Sequence, residues 1–127
     1  MTRMAALILA LSPVFAETGR AAPGDLSDPV TVFATCAGRF SAEMEHRWLV
    51  GRDPDRAARH RGAMIDLLDA VVPNVDGRAV LARRIEAKHA QATLLMRADF
   101  NVNAEDARQA RVLADAALSR CAALIAG

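Results

Sequence analysis

Apolar residues recur at steps of three and four along most of this chain, the spacing that lines one face of an α-helix. The first such run extends from about Pro29 to Val50 and is stopped by Gly51. Its predicted inner face consists of Phe33, Cys36, Ala37, Phe40, Met44 and Trp48. This pattern predicts a first amphipathic helix.

Two more runs with the same period follow. Asp53 and Pro54 are an N-cap and a first-turn proline for a second helix, which is predicted to end before Pro73. After a turn at 73–77, a third helix is predicted to be the longest. The predicted inner faces are Ala57, Met64, Leu67, Leu68 and Val71 in the second helix, and Leu81, Ile85, Ala92 and Met96 in the third, flanked by Val80, Leu95 and Phe100.

Asn103 is the predicted N-cap of a fourth helix, because Glu105 and Asp106 follow in the first turn, where the helix dipole favours negative charge. Its predicted buried face is Ala110, Leu113, Ala114, Ala117, Cys121 and Leu124. Strand-like alternation is nearly absent. Four helices with short connections favour an all-α, single-domain, up-down-up-down four-helix bundle over residues 29–127.

The first sixteen residues have the three parts of a secretory signal peptide. Arg3 provides a positive start, 4–11 is an unbroken apolar run, and Val14 and Ala16 are the small residues of a cleavage site. The run is too short for a membrane-spanning helix, which needs about 20 residues. We therefore expect signal cleavage after Ala16, a flexible polar leader at 17–28, and a periplasmic or secreted product that is not inserted in a membrane.

Cys36 and Cys121 are the only two cysteines of the chain. An even number of cysteines in an exported protein favours a disulfide, because export compartments are oxidising. In the predicted bundle both cysteines lie at the same end, on the inner faces of the first and last helices. We therefore predict a Cys36–Cys121 bridge; the spacing excludes a CxxC metal motif or a haem-attachment motif.

The charge balance gives no sign of a nucleic-acid or membrane partner. The chain has 16 basic and 15 acidic side chains, and Arg3 is lost with the signal peptide, so the mature product has no formal net charge. Such a balance does not attract polyanions by bulk charge. Lys88 is the only lysine, and this preference for arginine, together with abundant alanine, indicates a GC-rich bacterial genome.

Two Glu-x-x-His sequences, at 43–46 and 86–89, form the sharpest local pattern. Di-iron bundles use this spacing on two helices and add a glutamate from each of the other two. The second predicted helix has no glutamate, and its Asp66 and Asp69 lie opposite the predicted inner face. Because the fourth helix also lacks a mid-bundle carboxylate, no di-iron centre is predicted.

A looser polar group falls at the end of the bundle away from the predicted disulfide. It consists of His46, His60, Glu43 and Asp106, with Asp99 nearby. Two imidazoles with one or two carboxylates would suit zinc or copper. The alternative is that these are separate side chains in ordinary ion pairs with the abundant arginines.

Motifs for hydrolytic or phosphate chemistry are absent, since the sequence has neither a Gly-x-Ser-x-Gly elbow nor a phosphate-binding glycine loop. We therefore predict a non-enzymatic protein without a cofactor. The favoured function is a small exported binding or accessory protein that engages another envelope protein, with Trp48 as the candidate anchor. Trp48 could instead cap the core. The alternative function is a periplasmic carrier of a metal or small ligand at the His46 and His60 end.

Overall fold

The computed structural model describes residues 28–71 and 76–126. This part of the chain contains no strand and forms four helices, α1 (Pro29–Leu49), α2 (Asp55–Val71), α3 (Gly77–Phe100) and α4 (Ala104–Ala123). The all-α prediction and its four helices are confirmed. The predicted signal peptide at 1–16, and all of the predicted leader except Asp28, lie outside the described residues. Within the described ranges, no helix is both long and apolar enough to cross a membrane.

Capping side chains and one glycine mark the ends of the helices where the sequence predicts them. The Asn103 side chain accepts a hydrogen bond from the backbone N–H of Asp106 at 3.0 Å, at the start of α4. Asp53 accepts one from the N–H of Asp55 at 2.9 Å, at the start of α2. Gly51, just beyond α1, has a φ of 71°, a conformation that glycine adopts without the steric cost of a Cβ.

Helix α1 is the centre of the fold, because it packs against α2, α3 and α4. Its most extensive interface is with α3, where Gly38 lies directly against the α3 backbone. A Cβ atom at position 38 would overlap the carbonyl oxygen of Arg84 and lie 3.0 Å from the amide nitrogen of Lys88. The close approach of the two helices therefore requires glycine at this position.

The order of packing differs from that of the predicted up-down-up-down bundle, in which consecutive helices are neighbours. In the described residues, α1 packs extensively on α3, whereas the consecutive helices α2 and α3 have no comparable interface. Residue pairs advance in the same direction along α1 and α3, from Gly38 beside Arg84 to His46 beside Asp99. The C-terminal ends of these two helices therefore lie at the same end of the molecule, as they would in an up-down-up-down bundle, so the difference concerns which helices are neighbours.

The predicted disulfide is present and joins α1 to α4. The Cα atoms of Cys36 and Cys121 lie 5.5 Å apart, and the bridge spans 85 positions of sequence. Both sulfur atoms belong to a buried cluster made of Cys36, Ala37, Phe40, Met64 and Cys121. A second buried cluster is made of Ala42, Leu95 and Ala114. Alanine makes up most of the buried apolar residues in the described ranges, so little apolar volume holds the helices together.

The predicted inner face of α3 is correct at Leu95, which is buried, and at Ala92, which packs against the second cluster, but wrong at its other large side chains. Three of its large apolar side chains are exposed, namely Leu81, Ile85 and Met96. The buried face consists of Leu95 together with Ala87 and Gln91, which were not predicted to lie inside. The small Ala87 side chain lies beside Gly38, so this face permits the short distance between α1 and α3. In α4 the predicted alanines and Cys121 are buried, but Leu113 and Leu124 are exposed.

Candidate functional site

The four side chains predicted as metal ligands are not brought together. Glu43 accepts a hydrogen bond from Nε of Arg47 at 2.6 Å, one turn further along α1. His60 packs edge-on against Phe40, with ring centroids 5.0 Å apart. His46 and Asp106 belong to two separate ion-pair networks. Across 28–71 and 76–126, no group of three or more histidine, cysteine or acidic side chains is arranged to hold a metal ion.

Asp99 is the centre of the first network. His46, which is buried on α1, has its Nε2 2.6 Å from Oδ2 of Asp99. The other carboxylate oxygen of Asp99 accepts a hydrogen bond from Arg111 of α4, and Arg52 of the α1–α2 connection lies 3.6 Å away. The hydrogen bond from His46, followed by Arg111 and Arg52, holds the pKa of Asp99 below its usual range despite the opposing effect of burial.

Asp106 is the centre of the second network, which ties the end of α3 to the start of α4. Its carboxylate accepts hydrogen bonds from Arg97 and from the side-chain amide of Asn101. The hydrogen bond and charge of Arg97, together with the Asn101 contact, lower the pKa of Asp106. Asp99 and Asp106 thus each have an arginine partner, and these ion pairs fix the positions of the helix ends.

Exposed apolar side chains lie at the C-terminal ends of α1 and α3, the end of the molecule that also contains the two networks. Trp48 and Leu49, in the last turn of α1, are 60% and 65% exposed. The Phe100 ring lies 6.1 Å from the His46 ring and is itself mostly exposed. We call this region the end surface; it consists of Trp48, Leu49, Met96, Phe100 and Val102. Trp48 therefore does not cap the core.

His60 lines a groove between α1, α2 and α4 with a volume of about 230 Å³. Burial, followed by the nearby charges of Arg56 and Arg59, lowers the pKa of His60. Glu43 and Arg47 line the same groove but are paired with each other. The groove therefore holds a neutral imidazole at neutral pH beside a satisfied ion pair, without a second histidine.

The sequence placed His46 and Asp99 at one end of the bundle but missed two components of this site. It did not identify Arg111 and Arg52 as partners of Asp99, because nothing in their spacing marks them among the many arginines. It also assigned Met96 and Phe100 to the interior. The apolar stripe on α3 is wider than one buried face needs. This width is the signal that could have shown that Met96 and Phe100 are exposed.

Comparisons with protein-family models, with curated proteins and with solved structures found no match to this chain. The site is therefore interpreted from its own geometry.

Proposed function

We propose that this chain is a small exported binding or accessory protein that engages another envelope protein through the end surface. The observation that carries the proposal is the exposure of Trp48 and Leu49 side by side in the last turn of α1. Large aromatic side chains supply much of the binding energy at protein interfaces when they enter a pocket of the partner. Isolated exposed leucines are common, but a tryptophan, a phenylalanine and three aliphatic side chains at one end of a small domain form an unusual surface.

The ion pairs at the same end of the molecule as the end surface support this function. Asp99 connects His46 of α1 to Arg111 of α4, and it sits one residue before Phe100. A network of this kind limits the movement of the helix ends that carry Trp48 and Phe100. A rigid surface loses less conformational entropy on binding, which favours affinity.

The signal-peptide prediction and the disulfide support export. A bridge between Cys36 and Cys121 persists in an oxidising compartment such as the periplasm, whereas cytosolic reductants would oppose it. The end surface then faces other envelope proteins. We do not propose the metal-carrier alternative, because His46, His60, Glu43 and Asp106 each have a different partner and no shared centre.

Site-specific photo-crosslinking in the producing cell tests the proposal. A benzoylphenylalanine at position 48 should cross-link one recurrent envelope protein, whereas the same group at Leu81, which is comparably exposed but near the opposite end of α3, should not. The captured protein is then purified and its affinity measured directly. Trp48→Ala should weaken binding about 30-fold, as expected for an interface anchor.

Three matched variants complete the test. Trp48→Phe should retain most of the affinity because it keeps an aromatic ring, and Leu81→Ala should bind like the unmodified protein. Equal affinity of the unmodified protein and Trp48→Ala for the captured partner would overturn the proposal. A cross-link at position 48 only to a second copy of this chain would also overturn it.

A further inference from the structure

A second surface, separate from the end surface, has the chemistry of an anion-binding groove. It lies between α1, α3 and α4 and has a volume of about 340 Å³. One arginine reaches it from each of these helices, namely Arg39, Arg83 and Arg120. Among the described residues that line the groove, Glu86 is the single acidic one.

Two of these arginines have no carboxylate partner in the described ranges. Arg39 is partly buried, and its guanidinium donates only to Sγ of Cys121, at 3.7 Å, which is a weak acceptor. Arg120 is exposed and forms no ion pair there. Arg83 is paired with Glu86 at 3.3 Å, but both side chains of this pair are open to solvent.

Arg39 and Arg120 are close enough to repel each other. Burial, followed by the charge of Arg120, lowers the pKa of Arg39. A partly buried cation beside a like charge destabilises the folded chain unless an anion compensates both. Elsewhere in the fold, Arg47, Arg97 and Arg111 each have an acidic partner. At this groove, a partly buried arginine therefore lies beside a second arginine, and neither has an acidic partner in the described residues.

The rest of the groove wall is largely apolar. Its α3 and α4 sides present Ala87, Ala90, Leu94, Leu113 and Ala117. Leu113 is one of the large side chains that the fold leaves exposed. A ligand that matches this lining carries a negative head and an apolar body, and guanidinium groups bind carboxylates with two parallel hydrogen bonds.

We propose that this groove binds a small aliphatic carboxylate, with its carboxylate between Arg39 and Arg120 and its hydrocarbon chain along the α3–α4 wall. This site is independent of the proposed function, because it shares no residue with the end surface. It also differs from the predicted His46 and His60 carrier site in place and in chemistry.

Titration of the isotope-labelled protein with octanoate, followed by amide NMR shifts, tests the proposal. A probe of about ten non-hydrogen atoms should bind with roughly millimolar affinity. The saturable shifts should cluster at Ala87, Ala90, Leu113 and Ala117. Octan-1-ol, which has the same chain without the charge, should bind at least ten-fold more weakly, and inorganic phosphate should give smaller shifts at the arginines alone.

Charge-neutral variants identify the head-group contacts. Arg120→Gln is exposed and should fold normally, and it should weaken octanoate binding at least five-fold; Arg39→Gln should do the same if it folds. Arg59→Gln, an exposed arginine of α2 outside the groove, is the matched control and should leave binding unchanged. Equal binding of octanoate and octan-1-ol, shifts centred on Trp48 and Phe100, or unchanged affinity of Arg120→Gln would each overturn the proposal.

Discussion

Nε2 of His46 lies 2.6 Å from Oδ2 of Asp99, so a buried imidazole in α1 is held by a carboxylate in the last turn of α3. The same carboxylate pairs with Arg111 of α4 and lies near Arg52 of the α1–α2 connection. Asp99 thus links three helices and one connection at the end of the molecule that carries the end surface. Its removal should affect the fold more than the removal of any exposed carboxylate.

Asp99→Asn should lower the free energy of unfolding at pH 7 by about 2 kcal/mol, because it leaves His46 and Arg111 without their charged acceptor in a mostly buried place. Urea unfolding followed by circular dichroism measures the change. Asp66→Asn, at an exposed position of α2, is the matched control and should stay within about 0.5 kcal/mol of the unmodified protein. Equal destabilisation by both variants would contradict the role of Asp99.

The same variant should reveal a pH dependence with a definite sign. The folded-state pKa of Asp99 is below its usual range, so the unfolded chain takes up the proton first as the pH falls. The contribution of Asp99 is therefore complete above its usual pKa of about 4 and is lost as the pH falls further through the folded-state value. The difference in free energy of unfolding between the unmodified protein and Asp99→Asn should become smaller between pH 4 and pH 2. The pKa of Asp106 is also lowered, but Asp106 is present in both proteins, so its effect cancels in this difference. A gap that stays constant from pH 7 to pH 2 would contradict the assignment.

Loss of the disulfide should destabilise the fold strongly. The bridge closes a loop of 85 positions, which corresponds to about 4 kcal/mol of lost denatured-state entropy. The double variant Cys36→Ala, Cys121→Ala should melt at a much lower temperature than the oxidised protein. Addition of a reductant should lower the midpoint of the unmodified protein and leave that of the double variant unchanged; an unchanged midpoint in both would show that the bridge does not stabilise the fold.

Two glycine substitutions should have opposite effects. Gly38→Ala places a methyl group against the Arg84 carbonyl and should push α1 away from α3, with a loss of at least 2 kcal/mol. Gly62 lies inside α2, where an added methyl group would meet no side chain or backbone beyond the adjacent turns of its own helix, so Gly62→Ala should gain up to about 1 kcal/mol from helix propensity. Chemical denaturation of both variants measures this. A gain in stability, or no loss, from Gly38→Ala would show that the α1–α3 approach at Gly38 is not tight.

The helices and their bridge could be predicted because the signals are local. Asn103 and Asp53 are capping residues next to the helices that they cap. Gly51 ends α1 because glycine, without a Cβ atom, readily adopts the left-handed backbone conformation found there. The cysteine pairing could be predicted because a chain with only two cysteines offers a single connection. These inferences need no knowledge of how one helix is rotated against another.

The burial of Ala87 and Gln91 in α3 could not be predicted, because it depends on that rotation. Both sides of α3 carry apolar residues, and the larger ones, such as Leu81 and Ile85, form the more obvious stripe. Ala87 is buried instead, since the space beside Gly38 admits only a small side chain. The pairing of Asp99 with Arg111 depends on the same rotation, so the sequence could give the location of the polar group but not its partners.

Trp48 and Phe40, two aromatic residues of the same helix, should respond in opposite ways to truncation. Phe40 is buried against the disulfide cluster, so Phe40→Ala should cost about 3–5 kcal/mol of stability. Trp48 is 60% exposed, and Trp48→Ala should change the free energy of unfolding by no more than about 1 kcal/mol. Trp48 is also the only tryptophan, so acrylamide should quench its fluorescence readily in the folded protein. A large decrease in the free energy of unfolding of Trp48→Ala would mean that the indole ring supports the fold, and Trp48 could then not be regarded as the anchor of the end surface. An unchanged free energy of unfolding would mean that the fold does not need the ring, which favours a role in partner binding.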